Sequence, residues 1–248
     1  MISKEIVFEQ LKGKLVVSCQ ALEHEPLHGA DVMGKMAKAA FMGGASGIRA
    51  NSAVDIVAIK EYVELPIIGL VKRDYPGSEV YITPTRKEAD ELIGAGVDMI
   101  AIDATTRTRP NGESLESLIS YLKSKGQTIM ADVSTYEEAV HAVKLGVDCV
   151  STTMSGYTPY SPQQCDPDFT LLKKLVDTIK IPVFAEGRIS TPVEVCQALD
   201  MGAHTVVVGS AITRPQEITK RFVQSIQNKG GNQDAGTNGL KEQIRRVN

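Results

Sequence analysis

The chain lacks both a strong net charge and any long apolar run. Its formal net charge is −3 at pH 7, and lysine and arginine are scattered singly along its 248 residues. No basic stripe is available to neutralise a row of phosphates, which argues against nucleic acid as a partner. Residues 1–5 lack the apolar segment of a leader, and no later run approaches the roughly 20 apolar residues of a membrane span. We therefore expect a cytoplasmic protein without a membrane partner.

Closely spaced metal or disulfide ligands are also lacking. None of the four cysteines forms a CxxC pair, so we expect reduced thiols, no disulfide and no zinc. His24 and His28 have i,i+4 spacing, but Pro26 lies between them and disfavours the helix that would align them. We predict no metal site.

Composition and length favour one globular domain. Hydrophobic residues make up 42% of the chain and charged residues 23%, which is ordinary for a folded protein. A closed α/β barrel commonly needs roughly 250 residues as one unit. We predict a catalytic domain over residues 1–228. Residues 229–248 begin with a polar, glycine-rich stretch and are expected to form a disordered tail, although 240–247 could form a short basic helix.

Short β-branched runs alternate with longer segments of helical period in eight pairs. Such apolar strands must be buried on both faces, which a single (β/α)8 TIM barrel provides. Glycine precedes several strands, about once every two units, and indicates helix caps on the lower face of the barrel. The predicted strands are Leu15–Gln20, Gly47–Ala50, Ile67–Lys72, Met99–Asp103, Thr128–Asp132, Cys149–Thr152, Val183–Glu186 and Thr205–Gly209.

Polar residues end these strands, and the active site of this fold is built from the strand ends and the loops that follow. One such residue could be a solvated rim position, but eight that converge predict a binding site. They are Gln20, Arg49, Lys72, Asp103 with Thr105 and Thr106, Asp132, Thr152 with Thr153, Glu186, and Gly209 with Ser210.

Lys72 and Glu186 are the candidate catalytic residues. Lys72 closes the apolar run 66–71, where burial would lower its pKa. A lysine close to neutrality can remove a proton or attack a carbonyl as a Schiff-base nucleophile, unless a neighbouring carboxylate simply pairs with it. Glu186 closes the apolar run 183–185, where burial would raise its pKa and make it a usable acid. The third and seventh strands lie opposite one another in a ring of eight, which suits inversion of a carbon centre.

Phosphate recognition is indicated after the last two strands. Gly187 and Arg188 follow the seventh strand, and Gly209 and Ser210 follow the eighth, which is the usual phosphate region of this fold. Arg188 or Arg214 could add charge-assisted hydrogen bonds, although either could be a surface arginine.

Several sequence blocks together carry a resemblance to a known family. Between about residues 11 and 222 the chain resembles the bacterial N-acetylmannosamine-6-phosphate 2-epimerases. The blocks are 18–21 (SCQA), 47–51 (GIRAN), 69–73 (GLVKR), 132–135 (DVST), 151–158 (STTMSGYT), 185–189 (AEGRI) and 208–215 (VGSAITRP).

The resemblance implies a cofactor-independent epimerase of sialic acid and amino sugar catabolism. It would interconvert N-acetylmannosamine 6-phosphate and N-acetylglucosamine 6-phosphate by deprotonation and reprotonation at C2 of the open-chain sugar. A homodimer is implied as well, and nothing is implied for the tail. The resemblance makes Lys72 and Glu186 the essential pair, and we expect contacts to the sugar or its phosphate from Gln20, Arg49, Asp132, Thr152, Tyr157 and Arg214.

Two other functions fit the residues. In a Schiff-base aldolase, Lys72 would attack the substrate carbonyl and a carbon–carbon bond would break. A phosphosugar-binding regulatory module would keep the phosphate loops, but it would not need Lys72 and Glu186 to face each other.

Overall fold

Eight parallel strands close into a barrel in the computed structural model, which describes residues 3–228. Each strand pairs with the next, and the ring closes between the first and the last through Val16 opposite Val207. This confirms the predicted (β/α)8 barrel. The predicted tail 229–248, with its possible helix at 240–247, lies outside the described residues. The strands are β1 (Leu15–Cys19), β2 (Gly47–Asn51), β3 (Ile67–Leu70), β4 (Met99–Asp103), β5 (Ile129–Asp132), β6 (Cys149–Ser151), β7 (Val183–Glu186) and β8 (Thr205–Val208).

A helix precedes β1, and helices fill every connection between strands. A further helical segment covers residues 215–228. No helix within residues 3–228 has both the length and the apolar character needed to cross a bilayer. The helices are α1 (Lys4–Leu11), α2 (Ala30–Met42), α3 (Ala53–Tyr62), α4 (Arg86–Ala95), α5 (Leu115–Ser124), α6 (Tyr136–Leu145), α7 (Phe169–Thr178), α8 (Pro192–Asp200) and α9 (Ser210–Thr213).

Helix caps recur in every second unit. Thr85, Thr135 and Thr191 each open a capping box in which a glutamate three residues later bonds back to the cap, at the starts of α4, α6 and α8. Gly96 and Gly146 end α4 and α6 in the left-handed conformation. The glycine caps predicted from the repeat are therefore confirmed at these two helices.

The alternation of side chains along the strands carries polar groups into the barrel. Met130, Cys149 and Phe184 belong to the buried cluster inside the ring, which α1 closes from below with Val7 and Leu11. Successive strand residues point to opposite faces, so the second residue after each inner apolar side chain points inward again. That residue is Asp132 after Met130, Ser151 after Cys149 and Glu186 after Phe184.

Some strands end one or two residues earlier than predicted. Gln20, Lys72, Thr152 and Gly209 lie just beyond the strands that were expected to contain them. At Lys72 the reason is a change of partner, because this residue pairs antiparallel with Ile82 instead of continuing the parallel ladder.

Candidate active site

A cavity of about 520 Å³ opens at the carboxyl ends of the strands. Its size falls within the range of small-molecule sites. Predicted site residues from six strands and the loops that follow them line it together. These are Gln20, Arg49, Lys72, Tyr157, Glu186, Gly187, Arg188, Gly209, Ser210 and Arg214.

Lys72 is held at the cavity wall by two main-chain interactions. Lys72 pairs antiparallel with Ile82 in a small hairpin after β3, and the main-chain N–H of Lys72 donates to Asn51 Oδ1 at 2.7 Å. Burial, with the positive charges of Arg49 and Arg214, lowers the pKa of Lys72 to about 8. A substantial fraction of Lys72 is therefore neutral near physiological pH.

Arg49 bridges two carboxylates inside the barrel. Its side chain is only 1% exposed. Nη2 lies 2.5 Å from Asp132 Oδ2, and Nη1 lies 2.7 Å from Glu186 Oε2. These partners offset the cost of burying the guanidinium and keep its pKa above the ordinary value. Arg49 thus supplies a permanent positive charge at the cavity floor.

Glu186 is an acid with a shifted pKa, fixed at the end of β7. Burial raises the pKa of its carboxyl group to about 7, since desolvation and the charge of Asp132 outweigh the lowering effect of Arg49. The Thr152 hydroxyl fastens its main chain by accepting from the Glu186 N–H at 3.0 Å and donating to the Glu186 carbonyl at 2.7 Å.

Two hydroxyls connect the carboxylates of Glu186 and Asp132 by a second route. Ser151 Oγ lies 3.4 Å from Glu186 Oε2 and 2.7 Å from Thr153 Oγ1. Thr153 Oγ1 donates in turn to Asp132 Oδ1 at 2.8 Å. The orientation of Glu186 thus depends on a connected polar network.

Asp132 and Thr152 were expected to contact the substrate, but neither reaches the cavity wall. Asp132 is completely buried, and its oxygens accept from Arg49 and Thr153. The Thr152 hydroxyl is occupied by the Glu186 main chain. Both residues position Arg49 and Glu186 from behind the wall.

The predicted phosphate region lies at the β7 and β8 ends of the cavity. Gly187, Arg188, Gly209 and Ser210 all line it. The N–H groups of Ser210 and Ala211 lie in the first turn of α9 and have no intrahelical acceptor. They are therefore able to bind an anion.

The Arg188 guanidinium is engaged by a neighbouring loop. It donates to the carbonyls of Ser155 at 2.7 Å and Gly156 at 2.8 Å, and it lies 4.8 Å from the centre of the Tyr157 ring. Two of its N–H groups thus fasten the β6–α7 loop, while the residue itself lines the cavity in the predicted phosphate region. Gly156 permits this contact, because a Cβ there would lie 2.0 Å from Arg188 Nη2.

Arg214 is oriented by Glu25. Its Nε and Nη2 atoms each lie 2.8 Å from a Glu25 oxygen, and Nη1 donates to Ser210 Oγ at 3.3 Å. The guanidinium is thereby fixed beside the first turn of α9, next to the predicted phosphate site.

Some residues that line the cavity were not predicted from the sequence. Tyr81 and Ile82 belong to the hairpin after β3, which the parallel strand pattern does not reveal. Ser18 could have been inferred from alternation along β1. It accepts from Gln20 Nε2 at 2.8 Å, while Gln20 Oε1 is buried without a partner among residues 3–228. The missed lining residues include Ser18, Tyr81, Ile82, Glu217 and Arg221.

Comparisons with known proteins agree on one family. The family model "NanE: Putative N-acetylmannosamine-6-phosphate epimerase" matches residues 33–228. A Clostridium perfringens (strain 13) relative described as "Putative N-acetylmannosamine-6-phosphate 2-epimerase" is 58% identical over 221 residues, covering 89% of this chain and 100% of the relative. A Clostridioides difficile (strain 630) relative of the same description is 55% identical over 221 residues, covering 89% and 99%.

Solved structures agree with this match. The structure reported as N-acetylmannosamine-6-phosphate 2-epimerase from Clostridium perfringens superposes with a TM-score of 0.86 at 58% identity, covering 88% of this chain and 95% of that chain. Thiamine phosphate pyrophosphorylase from Pyrococcus furiosus reaches a TM-score of 0.56 at 19% identity, covering 86% and 93%. The second likeness concerns the barrel fold alone.

Proposed function

Because the chain belongs to the N-acetylmannosamine-6-phosphate epimerase family, we infer that it interconverts N-acetylmannosamine 6-phosphate and N-acetylglucosamine 6-phosphate in amino sugar catabolism. The observation that carries this inference is the placement of Lys72 and Glu186. They extend into one cavity from the ends of opposite strands, and burial shifts both pKa values toward neutrality. An acid and a base are thus available on two sides of a bound sugar.

The reaction needs only proton transfer at C2 of the open-chain sugar. The C1 aldehyde acidifies the C2 proton, so neutral Lys72 takes that proton and the electron pair moves onto the C1 oxygen. Glu186 then delivers a proton to the other face of C2, and the aldehyde forms again. The positive charge of Arg49 at the cavity floor stabilises the enolate oxygen. The C2–H bond alone breaks and re-forms, so no cofactor takes part.

The two ends of the cavity divide the recognition of the substrate. The main-chain N–H groups around Gly187, Arg188, Gly209 and Ser210 bind the phosphate, with Arg214 beside them. Gln20 Oε1 offers a buried acceptor to a sugar hydroxyl, and Tyr157 covers the sugar from the β6–α7 loop. All of these groups belong to one barrel, which supports a single catalytic domain over residues 1–228.

A homodimer and a cytoplasmic location complete the proposal. On the helix at 215–228, the exposed side chains Phe222, Val223 and Ile226 share one face and provide an apolar surface for a second copy of this chain. A phosphorylated sugar carries a charge that cannot enter an apolar bilayer unaided, which favours an enzyme on the cytoplasmic side.

Proton NMR of purified protein with N-acetylmannosamine 6-phosphate tests the reaction. The C2 epimer is expected to appear without added metal or nucleotide, and absence of conversion would refute the proposed function. Borohydride treatment with substrate separates the epimerase from a Schiff-base aldolase, because only the aldolase leaves a permanent substrate-dependent mass on Lys72.

A further inference from the structure

The cavity has an apolar wall directly beside Lys72. Leu70, Tyr81 and Ile82 form it, and we name this group the β3 wall. Building on the proposed function, we propose that the β3 wall binds the N-acetyl group of the substrate, with the Tyr81 hydroxyl donating to the acetyl carbonyl. The wall thereby distinguishes N-acetylated sugar phosphates from those without the acetamido group.

The pairing in the hairpin places Ile82 next to the base, and the preceding residue, Tyr81, lines the same cavity. Lys72 and Ile82 are antiparallel partners, and side chains of directly opposed residues lie on the same face, with Cβ atoms about 4.5–5.5 Å apart. Leu70 precedes Lys72 by two residues and belongs to the buried cluster inside the barrel. The wall is therefore built into the element that carries the catalytic lysine.

The chemistry of C2 requires the acetamido group at this position. A base must approach the proton that it removes to within hydrogen-bond distance, about 2.6–3.2 Å between heavy atoms. The acetamido nitrogen is bonded to the same carbon as that proton. Wherever Lys72 reaches C2, the acetyl group thus lies among the neighbours of Lys72. Of the other aliphatic lining residues, Ile189 follows β7 and Val207 lies in β8, the two strands whose ends carry the proposed phosphate site.

A fixed acetamido group is also compatible with inversion. In the enolate, C2 and its three remaining substituents are coplanar, so the nitrogen lies in the plane between the two faces. An acetamido group held in that plane leaves both faces open to Lys72 and Glu186. The substrate can then change configuration while its acetyl group remains on the β3 wall.

Tyr81 provides a donor suited to an amide carbonyl. Among residues 3–228, the acceptor found for its hydroxyl is Met154 Sδ at 3.8 Å, and a thioether is a weak acceptor. Burial raises the pKa of Tyr81 to about 12, so the phenol keeps its proton at neutral pH. Leu70 and Ile82 line the cavity and belong to the buried cluster inside the barrel, so the acetyl methyl group would meet apolar side chains on this side.

The Tyr81→Phe variant tests the assignment by removing only the hydroxyl. Isothermal titration calorimetry would compare N-acetylglucosamine 6-phosphate with glucose 6-phosphate, which lacks the acetamido group. The variant is expected to bind N-acetylglucosamine 6-phosphate about tenfold more weakly, as for one lost hydrogen bond, and glucose 6-phosphate unchanged. Tyr121→Phe on α5, which removes a surface hydroxyl bonded to Asp90, should alter neither affinity.

A second variant tests the apolar part of the wall. Ile82→Ala removes several carbon atoms from the wall and so enlarges the space for the acyl group. It is expected to improve kcat/KM for the N-propanoyl analogue relative to the N-acetyl substrate by severalfold.

Two results with Tyr81→Phe would overturn the assignment: an equal loss of affinity for both ligands, or no loss of affinity for either. A wild-type protein that binds N-acetylglucosamine 6-phosphate more tightly than glucose 6-phosphate, but does not epimerise it, would refute the proposed function and leave the β3 wall supported.

Discussion

At the scale of single residues, one physical cause acts in opposite directions on the two candidate catalysts. Burial disfavours the charged form of any group, so it lowers the pKa of Lys72 and raises that of Glu186. The sequence allowed both directions to be predicted, because each residue closes an apolar strand. It did not reveal that Arg49 would bridge Asp132 and Glu186, since that contact joins strands far apart in the chain.

The pH dependence of kcat/KM follows from these shifts. Lys72 must be neutral to act as base, and its neutral fraction rises with pH until about 8 is passed. Glu186 must be protonated to act as acid, and its protonated fraction falls as pH rises through about 7. Together these requirements predict a bell-shaped profile with its maximum between the two values. Initial rates measured between about pH 5.5 and 9.5, a range that includes both pKa values, would give this profile. If the residual activity of Glu186→Gln kept the descending limb, Glu186 would not be its source.

Replacement of the base is the most direct test at a single residue. Lys72→Ala is expected to lower kcat by about 10²- to 10⁴-fold while the fold is retained, because the proposed role of the lysine is that of a base and not one in packing. Turnover measured by NMR and circular dichroism of the variant test the two parts. Lys125→Ala, whose ammonium lies over the Tyr121 ring away from the cavity, should keep wild-type activity. Near-wild-type turnover in Lys72→Ala would remove this lysine from the mechanism.

At the scale of elements, local sequence patterns predicted the strands and helix ends, but they did not predict which more distant segments pair. The β-branched runs located all eight strands, and glycine before a strand located helix ends such as Gly96 and Gly146. The hairpin after β3 was missed because its antiparallel pairing of Lys72 with Ile82 lies within a loop that has no strand period. For the same reason, Tyr81 was not recognised as a cavity residue.

The contact between the β6–α7 loop and β7 offers a test at this scale. Gly156→Ala is expected to weaken substrate binding several-fold, because the new Cβ would displace the Arg188 guanidinium from the Gly156 carbonyl and loosen the loop that carries Tyr157. Overpacking of this kind costs about 1–3 kcal/mol of stability, and the positive φ of Gly156 adds strain. KM and thermal unfolding measure both effects.

Gly94→Ala provides the matched control. Gly94 lies in α4, and a Cβ there meets nothing within 4 Å. This change should raise stability by about 0.4–1 kcal/mol and leave KM unchanged. A Gly156→Ala protein with wild-type KM and unfolding temperature would show that the Arg188 contact is dispensable.

At the scale of the whole molecule, the exposed apolar face of the helix at 215–228 predicts self-association. Phe222 is 69% exposed and Ile226 is 72% exposed. Ile226→Lys places a charge on this face and is expected to shift the protein from dimer toward monomer in sedimentation velocity. Val193→Lys, at a residue on α8 that is 74% exposed, should leave the distribution unchanged. A wild-type protein that remained monomeric at every concentration would contradict the proposed dimer.

The closed ring also determines how a proton can cross the substrate. β3 and β7 are separated by three strands on either side, so Lys72 and Glu186 approach a central ligand from opposite directions. Inversion at C2 then requires neither movement of the lysine nor rotation of the sugar. If Lys72 alone removed and returned the proton, part of the original C2 hydrogen would return to the product. Exchange of the ammonium protons with solvent would limit the fraction that returns.

Proton NMR of the reaction in D2O tests this account most directly. With two groups on opposite faces, the proton delivered to C2 comes from a solvent-equilibrated group other than the one that received the substrate proton. The first N-acetylglucosamine 6-phosphate formed from N-acetylmannosamine 6-phosphate should therefore carry deuterium at C2, while unconverted substrate carries little. Early product that retains much of its C2 protium would contradict transfer between Lys72 and Glu186.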